Sequence, residues 1–190
     1  MRRVARFLKV SRTQWINDWK ALYEGCGKTA DELEAEAEAI YEELRIPVRA
    51  TRGSAGYDIF SPIDFELGPG EEIKIATGMR CSMDEDVVLL IMPRSSLGFR
   101  YRFQLNNTVG VIDSDYYYSD NEGHIFIRFT NDSKTGAVMH ITKGQALAQG
   151  IFVTYGITED DETEIVRNGG IGSTDSTDGK GDPSDLVSRL

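Results

Sequence analysis

The spacing of hydrophobic positions along the chain changes near residue 46. Before this point, apolar residues recur every three or four positions in two stretches, which predicts two amphipathic helices. The first stretch ends near Gly25 and the second ends before Pro47. Each opens with a capping-box pattern, because Ser11 and Thr29 are followed three positions later by Gln or Glu. We therefore expect a helical hairpin, whose aromatic stripe packs against the main body or a neighbouring subunit.

After residue 46, short apolar runs alternate with turn residues, which predicts strands. The alternation is clearest where Ile125, Ile127 and Phe129 share one face. Pro69 and Gly70 are suited to the centre of a type II turn. Many short strands with few helices predict an all-β sandwich, jelly roll or barrel. The predicted strands are residues 73–76, 86–92, 124–129, 137–141 and 145–153.

Residues 107–116 have the pattern of a tight strand pair. Apolar Val109, Val111 and Ile112 surround Gly110, and the run ends in Asp113. A carboxylate at the end of an apolar hairpin can hold a water molecule while the hairpin backbone faces a ligand. An ordinary hairpin with polar turn residues is the alternative for this stretch taken alone.

Three parts of the chain follow from these patterns. Residues 1–45 form an N-terminal extension, with a short strand within residues 3–10 and then the helical hairpin. Residues 46–156 form the β domain. Residues 157–190 are polar and acidic, which predicts a mobile C-terminal arm.

Composition narrows the function classes. The 190 residues carry a formal net charge of −10, which argues against a nucleic-acid-binding surface, since phosphate backbones are held by clustered Lys and Arg. Two distant cysteines, Cys26 and Cys81, suggest neither a disulfide framework nor a zinc site. Because apolar runs long enough to span a membrane are missing from the sequence, we expect a soluble, cytoplasmic protein.

A second candidate for chemistry lies in the arm. Residues 167–174 combine a cation, three glycines and two hydroxyl groups. Glycine-rich backbone amides and a nearby cation are what a phosphate cradle requires.

Five segments of the chain resemble, in order and spacing, the five motifs of the trimeric dUTP diphosphatase (dUTPase) family. The resemblance implies a jelly-roll-like β-barrel subunit and a homotrimer with active sites at the subunit interfaces. It also implies magnesium-dependent hydrolysis of dUTP to dUMP and pyrophosphate, which removes dUTP and supplies dUMP for thymidylate synthesis. The segments are residues 54–58, 93–98, 110–116, 144–149 and 167–174.

The third motif implies the catalytic base and the recognition of the nucleoside. Asp113 resembles the carboxylate that activates the attacking water at the α-phosphate. Asn107 and the backbone of Gly110 and Ile112 resemble the elements that read uracil. Tyr116 is similar to the tyrosine that packs under the deoxyribose and excludes a ribose 2′-OH.

The first, second and fourth motifs imply contacts to the phosphates and the metal. Arg94, Ser95 and Ser96 resemble the phosphate-binding segment, in which Ser96 replaces a more usual Gly. Gln149 resembles a polar residue that reaches the phosphates, and Asp58 resembles the carboxylate that meets Mg²⁺ through water.

The fifth motif implies an arm that closes over the γ-phosphate through Arg167, Gly172, Ser173 and Thr174. Two further positions depart from the family pattern. Ile171 stands where a Phe usually covers the uracil, and the lost stacking is expected to forfeit about 0.5–1.5 kcal/mol. Asp175 replaces a usual Gly and adds negative charge near the phosphates, so we expect weaker arm closure with the chemistry retained.

Two alternatives stay open. The related dCTP deaminase family, including bifunctional members, shares the fold, but its Glu falls where this chain has Arg128. A dUTP-sensing interaction protein would use the hairpin to bind a protein partner. His124 and His140 are expected to be surface or sheet residues, since a third ligand at metal spacing is missing from the sequence.

Overall fold

The computed structural model describes residues 2–165 and residue 167. In this part of the chain, the helices are α1 (Arg12–Leu22), α2 (Ala30–Glu43) and α3 (Ser95–Tyr101), and a 3₁₀ helix spans Ser114–Tyr118. The strands are β1 (Ala5–Lys9), β2 (Val48–Arg49), β3 (Tyr57–Phe60), β4 (Phe65–Leu67), β5 (Glu72–Ala76), β6 (Met79–Met83), β7 (Val87–Pro93), β8 (Phe103–Leu105), β9 (Gly110–Ile112), β10 (Phe126–Asn131), β11 (Met139–Ile141) and β12 (Ala146–Thr154).

The strands pair antiparallel in four sheets. The largest has the order β2-β3-β12-β7-β9, a second has the order β5-β10-β8, and β1-β6 and β11-β4 form two-stranded sheets. Side chains from these sheets meet in one apolar core, in which Phe103 and Phe129 stack with ring centroids 4.2 Å apart. Ile125, Ile127 and Phe129 are all buried, as their alternation predicted. The architecture is the all-β, jelly-roll-like fold that the sequence predicted.

The two predicted helices are present and pack on the β5–β6 region. Trp15 and Trp19 are buried in a cluster with Val10 and Met79, so the aromatic stripe packs on the main body. The indole N–H of Trp15 donates a hydrogen bond to the carbonyl of Ala37, which ties α1 to α2 at 2.8 Å. Among the described residues, every helix is too short or too polar to traverse a lipid bilayer.

Only one of the two predicted capping boxes is complete. At α2, Thr29 and Glu32 make both reciprocal bonds. At α1, the Ser11 hydroxyl accepts from the amide of Gln14, but the Ser11 amide donates to Glu122 at 2.7 Å instead of to Gln14. The start of α1 is therefore anchored to a distant loop, and the helix ends at Leu22, before the predicted Gly25.

The predicted type II turn is confirmed. The amide of Glu71 donates to the carbonyl of Gly68, and Gly70 has a φ of 82°. Several elements were missed because they are short: β6 alternates apolar and polar residues, but over only five positions. The missed elements are β2, β3, β4, β6, β8 and α3.

The predicted strand pair within residues 107–116 was wrong. Strand β8 pairs with β10 and strand β9 pairs with β7, so the connection between them passes from one sheet to another. Thr108 has a φ of 68°, and the amide of Val109 donates to the carbonyl of Asn107 at 2.7 Å. A γ-turn with positive φ is strained, and a β-branched residue there is unusual. Residues 107–109 therefore form a turn, and β9 is the one strand within the predicted range.

Candidate active site

One group of predicted site residues lies where three neighbouring strands of the largest sheet come together. Asp58 on β3 is opposite Gln149 on β12, and Gln149 is opposite Met92 on β7. Arg94 follows β7 and donates a hydrogen bond to the carboxylate of Asp58. The sheet register therefore collects residues from three separate segments of the chain. We call Asp58, Arg94, Ser95, Ser96 and Gln149 the Arg94 group.

Ser95 and Ser96 open the short helix α3, with Arg94 as its N-cap residue. Both serines are exposed, whereas Leu97 is buried and anchors the helix to the core. The arrangement presents two hydroxyl groups beside a guanidinium. Such a surface can donate several hydrogen bonds to an anion.

A second group lies on β9 and the turns that flank it. We call Asn107, Gly110, Ile112, Asp113 and Tyr116 the nucleoside group. Strand β9 is at the end of its sheet and pairs with β7, so its other side keeps backbone N–H and C=O groups free of sheet partners in the described chain. Asp113 comes directly after β9, and its side chain is 48% exposed. A carboxylate in this position is open to water at the end of a strand edge.

Asp113 and Arg94 lie at opposite ends of β7. Ile112 is opposite Leu89, so Asp113 lies beside the beginning of β7, whereas Arg94 follows its end. Arg94 is five positions after Leu89, which is about 16 Å in an extended strand. One chain therefore brings together the members of each group but keeps Asp113 away from Arg94.

Arg167 contacts the nucleoside group. Its guanidinium donates to Asp113 at 2.5 Å and to Asp115 at 3.0 Å, and lies over the ring of Tyr116, 5.9 Å from the ring centroid. The contact places a cation against two carboxylates. The predicted arm residues Ile171, Gly172, Ser173 and Thr174, together with Asp175, lie outside the described residues.

Tyr116 is buried, with 3% of its surface exposed. Its hydroxyl donates to the carbonyl of His124 at 2.8 Å and receives a bond from the side-chain amide of Asn121. Burial raises the pKa of Tyr116 above its ordinary value, so the hydroxyl is protonated at neutral pH and can act as a donor. The orientation of the ring is thus fixed at its polar tip.

Sequence reasoning missed the residues that support this group. Arg80 donates to the carbonyl of Tyr117, and its guanidinium lies 3.7 Å from the Tyr117 ring centroid. The expectation that His124 is a surface or sheet residue was wrong, since it is fully buried just before β10 and contacts Asp18. One signal could have found Asp18, because an acidic residue lies between two buried tryptophans on the same helix. His140 is exposed on β11, as expected.

The comparisons with known proteins decide the family. A family model for dUTPases matches residues 42–177. The chain is also 40% identical over 134 residues to the deoxyuridine 5′-triphosphate nucleotidohydrolase of Lactococcus lactis, covering 69% of this chain and 88% of that protein. The chain belongs to the dUTPase family.

Solved dUTPase structures have the same fold. The crystal structure of dUTPase from Streptococcus mutans aligns with a TM-score of 0.55 and 34% identity, covering 62% of this chain and 91% of that one. A mutant dUTPase from phage phi11 of S. aureus aligns with a TM-score of 0.53 and 26% identity, covering 65% of this chain and 92% of that one. That phage structure shows the coordination of a structural Mg(II) ion. Helix α1 and most of α2 precede the family match, so the helical hairpin is an addition to the dUTPase fold.

The donor atoms of the dUTPase site fit a magnesium ion held mainly by water and phosphate. Clusters of three or more His, Cys, Asp or Glu suited to a metal are missing from residues 2–165 and 167. Magnesium commonly keeps several waters and binds through one or two carboxylates together with substrate phosphates. Asp58, whose side chain is partly exposed beside Arg94, is a carboxylate suited to such a position.

Proposed function

We propose that this protein hydrolyses dUTP to dUMP and pyrophosphate, with Asp113 as the general base. The observation that carries the proposal is the position of Asp113, a water-accessible carboxylate at the end of an open strand edge. Membership of the dUTPase family and similarity to nucleotidohydrolases of deoxyuridine triphosphate support it.

The chemistry is an in-line displacement at the α-phosphorus. Asp113 takes a proton from a water molecule, the water oxygen forms a bond to phosphorus, and the bond to the bridging oxygen of the β-phosphate breaks. Pyrophosphate leaves with the electron pair of that bond. Positioning and charge neutralisation supply most of the rate in such reactions, so one well-placed base is sufficient.

The free edge of β9 is suited to read uracil. The backbone at Gly110 and Ile112, with the side chain of Asn107, pairs with the base much as a neighbouring strand would. Cytosine presents a donor where uracil presents an acceptor, and an unpaired buried polar group costs about 1–3 kcal/mol. The methyl group of thymine is rejected by the close fit of this edge. Tyr116 lies under the deoxyribose, and a ribose 2′-OH finds no room there.

The Arg94 group binds the triphosphate through Arg94, Ser95, Ser96 and Gln149. Asp58 would hold Mg²⁺ through water, and the bound ion would neutralise phosphate charge. Arg94 pairs with the carboxylate of Asp58, so binding of the triphosphate would exchange a carboxylate for a phosphate at the same guanidinium.

The active enzyme is a homotrimer with sites at the subunit interfaces. The separation of Asp113 from Arg94 along β7 supports this assembly, because a single chain does not bring these two side chains together. Large apolar side chains are also exposed near both groups, at Phe99 in α3, Val111 in β9 and Tyr118 in the 3₁₀ helix. Burial of such side chains against another copy would stabilise an assembly.

The arm of residues 167–174 closes over the γ-phosphate. Arg167 pairs with Asp113 and Asp115. The more highly charged triphosphate attracts Arg167 away from these carboxylates, and the base is then free to accept a proton. Closure of the arm would exclude bulk water from the reaction.

The deaminase alternative is less well supported. Arg128, at the position of the deaminase Glu, is exposed on β10 opposite Lys74, so this part of the sheet is cationic. Proton transfer at a cytosine ring needs a carboxylate there. A role of the hairpin in binding a protein partner would be revealed by a pull-down with and without a dUTP analogue.

The test is pyrophosphate release from dUTP, dCTP, dTTP and UTP with magnesium, for the wild type and Asp113→Asn. We expect turnover of dUTP alone and a fall of about 10²–10⁴ in kcat in the variant, as for loss of a general base. Nucleotide binding should persist in the variant. Binding of dUTP by the wild type without turnover would contradict the proposal and favour the sensor, and ammonia release from dCTP would favour the deaminase.

A further inference from the structure

The helical hairpin contacts the segment that follows the catalytic base. The backbone amide of Ser11, at the start of α1, donates to Glu122 at 2.7 Å. About two helical turns after Ser11, the carboxylate of Asp18 lies 2.5 Å from Nδ1 of His124. An element outside the family match is therefore joined at two points to the loop between the 3₁₀ helix and β10.

The hydrogen bonds of His124 define its tautomer. The backbone amide of Gly78 donates to Nε2 at 2.8 Å, so Nε2 is the unprotonated nitrogen. Nδ1 carries the proton and donates it to Asp18. The ring is fully buried and packs against Trp15 and Phe126, with ring centroids 5.9 and 4.4 Å away. The imidazole is therefore held at both nitrogens and packed against two aromatic rings.

The carbonyl group of His124 in turn holds Tyr116. It accepts bonds from the Tyr116 hydroxyl at 2.8 Å and from the Asn121 amide at 3.3 Å. Gly123, with a φ of 70°, brings this loop so close to the 3₁₀ helix that a Cβ atom there would lie 2.7 Å from the carbonyl oxygen of Tyr116. The position of the tyrosine tip depends on where this loop is held.

We propose that Asp18 and His124 are positioning residues, through which the N-terminal hairpin sets the depth of the Tyr116 ring and so the discrimination between deoxyribose and ribose. The inference rests on the proposed role of Tyr116 under the sugar. When the hydrogen bonds from Asp18 to His124 and from His124 to Tyr116 are intact, the Tyr116 ring occupies the space of a 2′-OH. When one of these hydrogen bonds is broken, the Tyr116 ring recedes and ribonucleotides are accepted more readily.

A purely structural role predicts a different result. If the pair only stabilised the fold, its loss would lower the melting temperature and leave the relative use of dUTP and UTP unchanged. The decisive quantity is therefore the ratio of kcat/KM for dUTP to that for UTP, measured well below the melting temperature of each variant. The ratio of Kd values for the α,β-imido analogues of dUTP and UTP gives the same information without turnover.

The experiment compares three variants with the wild type. Asp18→Asn weakens the first link, and Tyr116→Phe removes the last link but keeps the ring. Glu34→Gln is the matched control, since Glu34 makes an ion pair with Lys20 within the hairpin at 2.8 Å. We expect both ratios to fall about three- to tenfold in Asp18→Asn and in Tyr116→Phe, the range of one hydrogen bond, and to stay within about twofold in Glu34→Gln. In the double variant Asp18→Asn/Tyr116→Phe, both ratios should fall no further than in the more strongly affected single variant, because the two substitutions break the same series of hydrogen bonds.

A fourth variant separates this inference from the proposed function. Tyr116→Ala removes the ring, and both ratios should collapse if the ring excludes the 2′-OH. Unchanged ratios in Tyr116→Ala would overturn the sugar role and the inference together. A collapse in Tyr116→Ala with unchanged ratios in Asp18→Asn and Tyr116→Phe would overturn the inference alone. If Asp18→Asn does not fold, Asp18→Glu takes its place, because Tyr116→Phe tests the bond between Tyr116 and His124 but leaves the contact with the hairpin intact.

Discussion

The Arg94 group and the nucleoside group of residues are held in place by different means. The register of β3, β12 and β7 alone places Asp58, Gln149 and Arg94 side by side. The nucleoside group lies on a three-residue edge strand and a 3₁₀ helix. Its support comes from distant parts of the chain, including Arg80, Arg167 and the N-terminal hairpin. The comparison teaches that one half of the site is fixed by its sheet, whereas the other half depends on elements that can vary independently.

The largest effect is expected from splitting the two groups between chains. Asp113→Asn and Arg94→Ala should each be nearly inactive, the first through loss of the base and the second through weaker phosphate binding. Coexpressed, they should form mixed trimers in which about a quarter of the sites combine an intact Asp113 with an intact Arg94 from another copy. Activity of the purified mixed trimers measures this recovery.

The control for this recovery uses two variants of the same group. Asp113→Asn coexpressed with Tyr116→Ala should recover nothing, because both residues of one site come from one chain. If the first mixture is no more active than its two components measured separately, the two groups do not combine across subunits.

A smaller effect is expected from the loop that supports the nucleoside group. Gly123→Ala should destabilise the protein by about 1–3 kcal/mol, since Gly123 combines a positive φ with a close approach to the 3₁₀ helix. Gly136 has a similar φ of 74° but no neighbouring atom within 4 Å of a Cβ, so Gly136→Ala measures the conformational strain alone. Urea unfolding gives both values. Equal losses in the two variants would show that the close approach adds nothing.

The smallest effect concerns the hairpin itself at alkaline pH. Burial raises the pKa of Tyr23 to about 12, so the folded state keeps a proton that the unfolded chain loses near its ordinary pKa of about 10. This contribution to stability is present below about pH 10 and is lost as the pH rises toward about 12. The urea midpoint of the wild type should therefore fall more between pH 9 and pH 10.5 than that of Tyr23→Phe.

Tyr118→Phe serves as the comparison for Tyr23→Phe, because Tyr118 is largely exposed on the 3₁₀ helix. It should follow the wild type over the same pH range. Identical alkaline losses in all three proteins would contradict the assigned role of Tyr23.

Local patterns were sufficient for much of the fold. The alternation that ends in Phe129, the capping box at Thr29 and the turn at Pro69 depend on neighbouring residues, and each has the predicted form. The strand pair predicted within residues 107–116 was wrong, because only β9 in that stretch is a strand and its partner, β7, lies elsewhere in the sequence. A short apolar run does not reveal which strand it will pair with.

The residues of the candidate site were also predicted only in part. Motif order was enough to name Asp58, Arg94 and Gln149 as one set, and the structure brings them together. The support of Tyr116 could not be predicted, because Asp18 and His124 lie 106 positions apart and neither stands in a recognisable motif. A buried polar pair between distant residues leaves no local pattern in the sequence by which it can be predicted.

The open edge of β9 also has a consequence for the solution behaviour of the protein. A strand edge with free backbone groups is a template for pairing with other chains, and Val111 adds an exposed apolar side chain to it. The edge is only three residues long, so it can offer few hydrogen bonds to an intruding strand. A nucleobase needs no more than that length. The brevity that limits aggregation is therefore compatible with selection of a small ligand, and lengthening β9 would be expected to favour self-association over nucleotide binding.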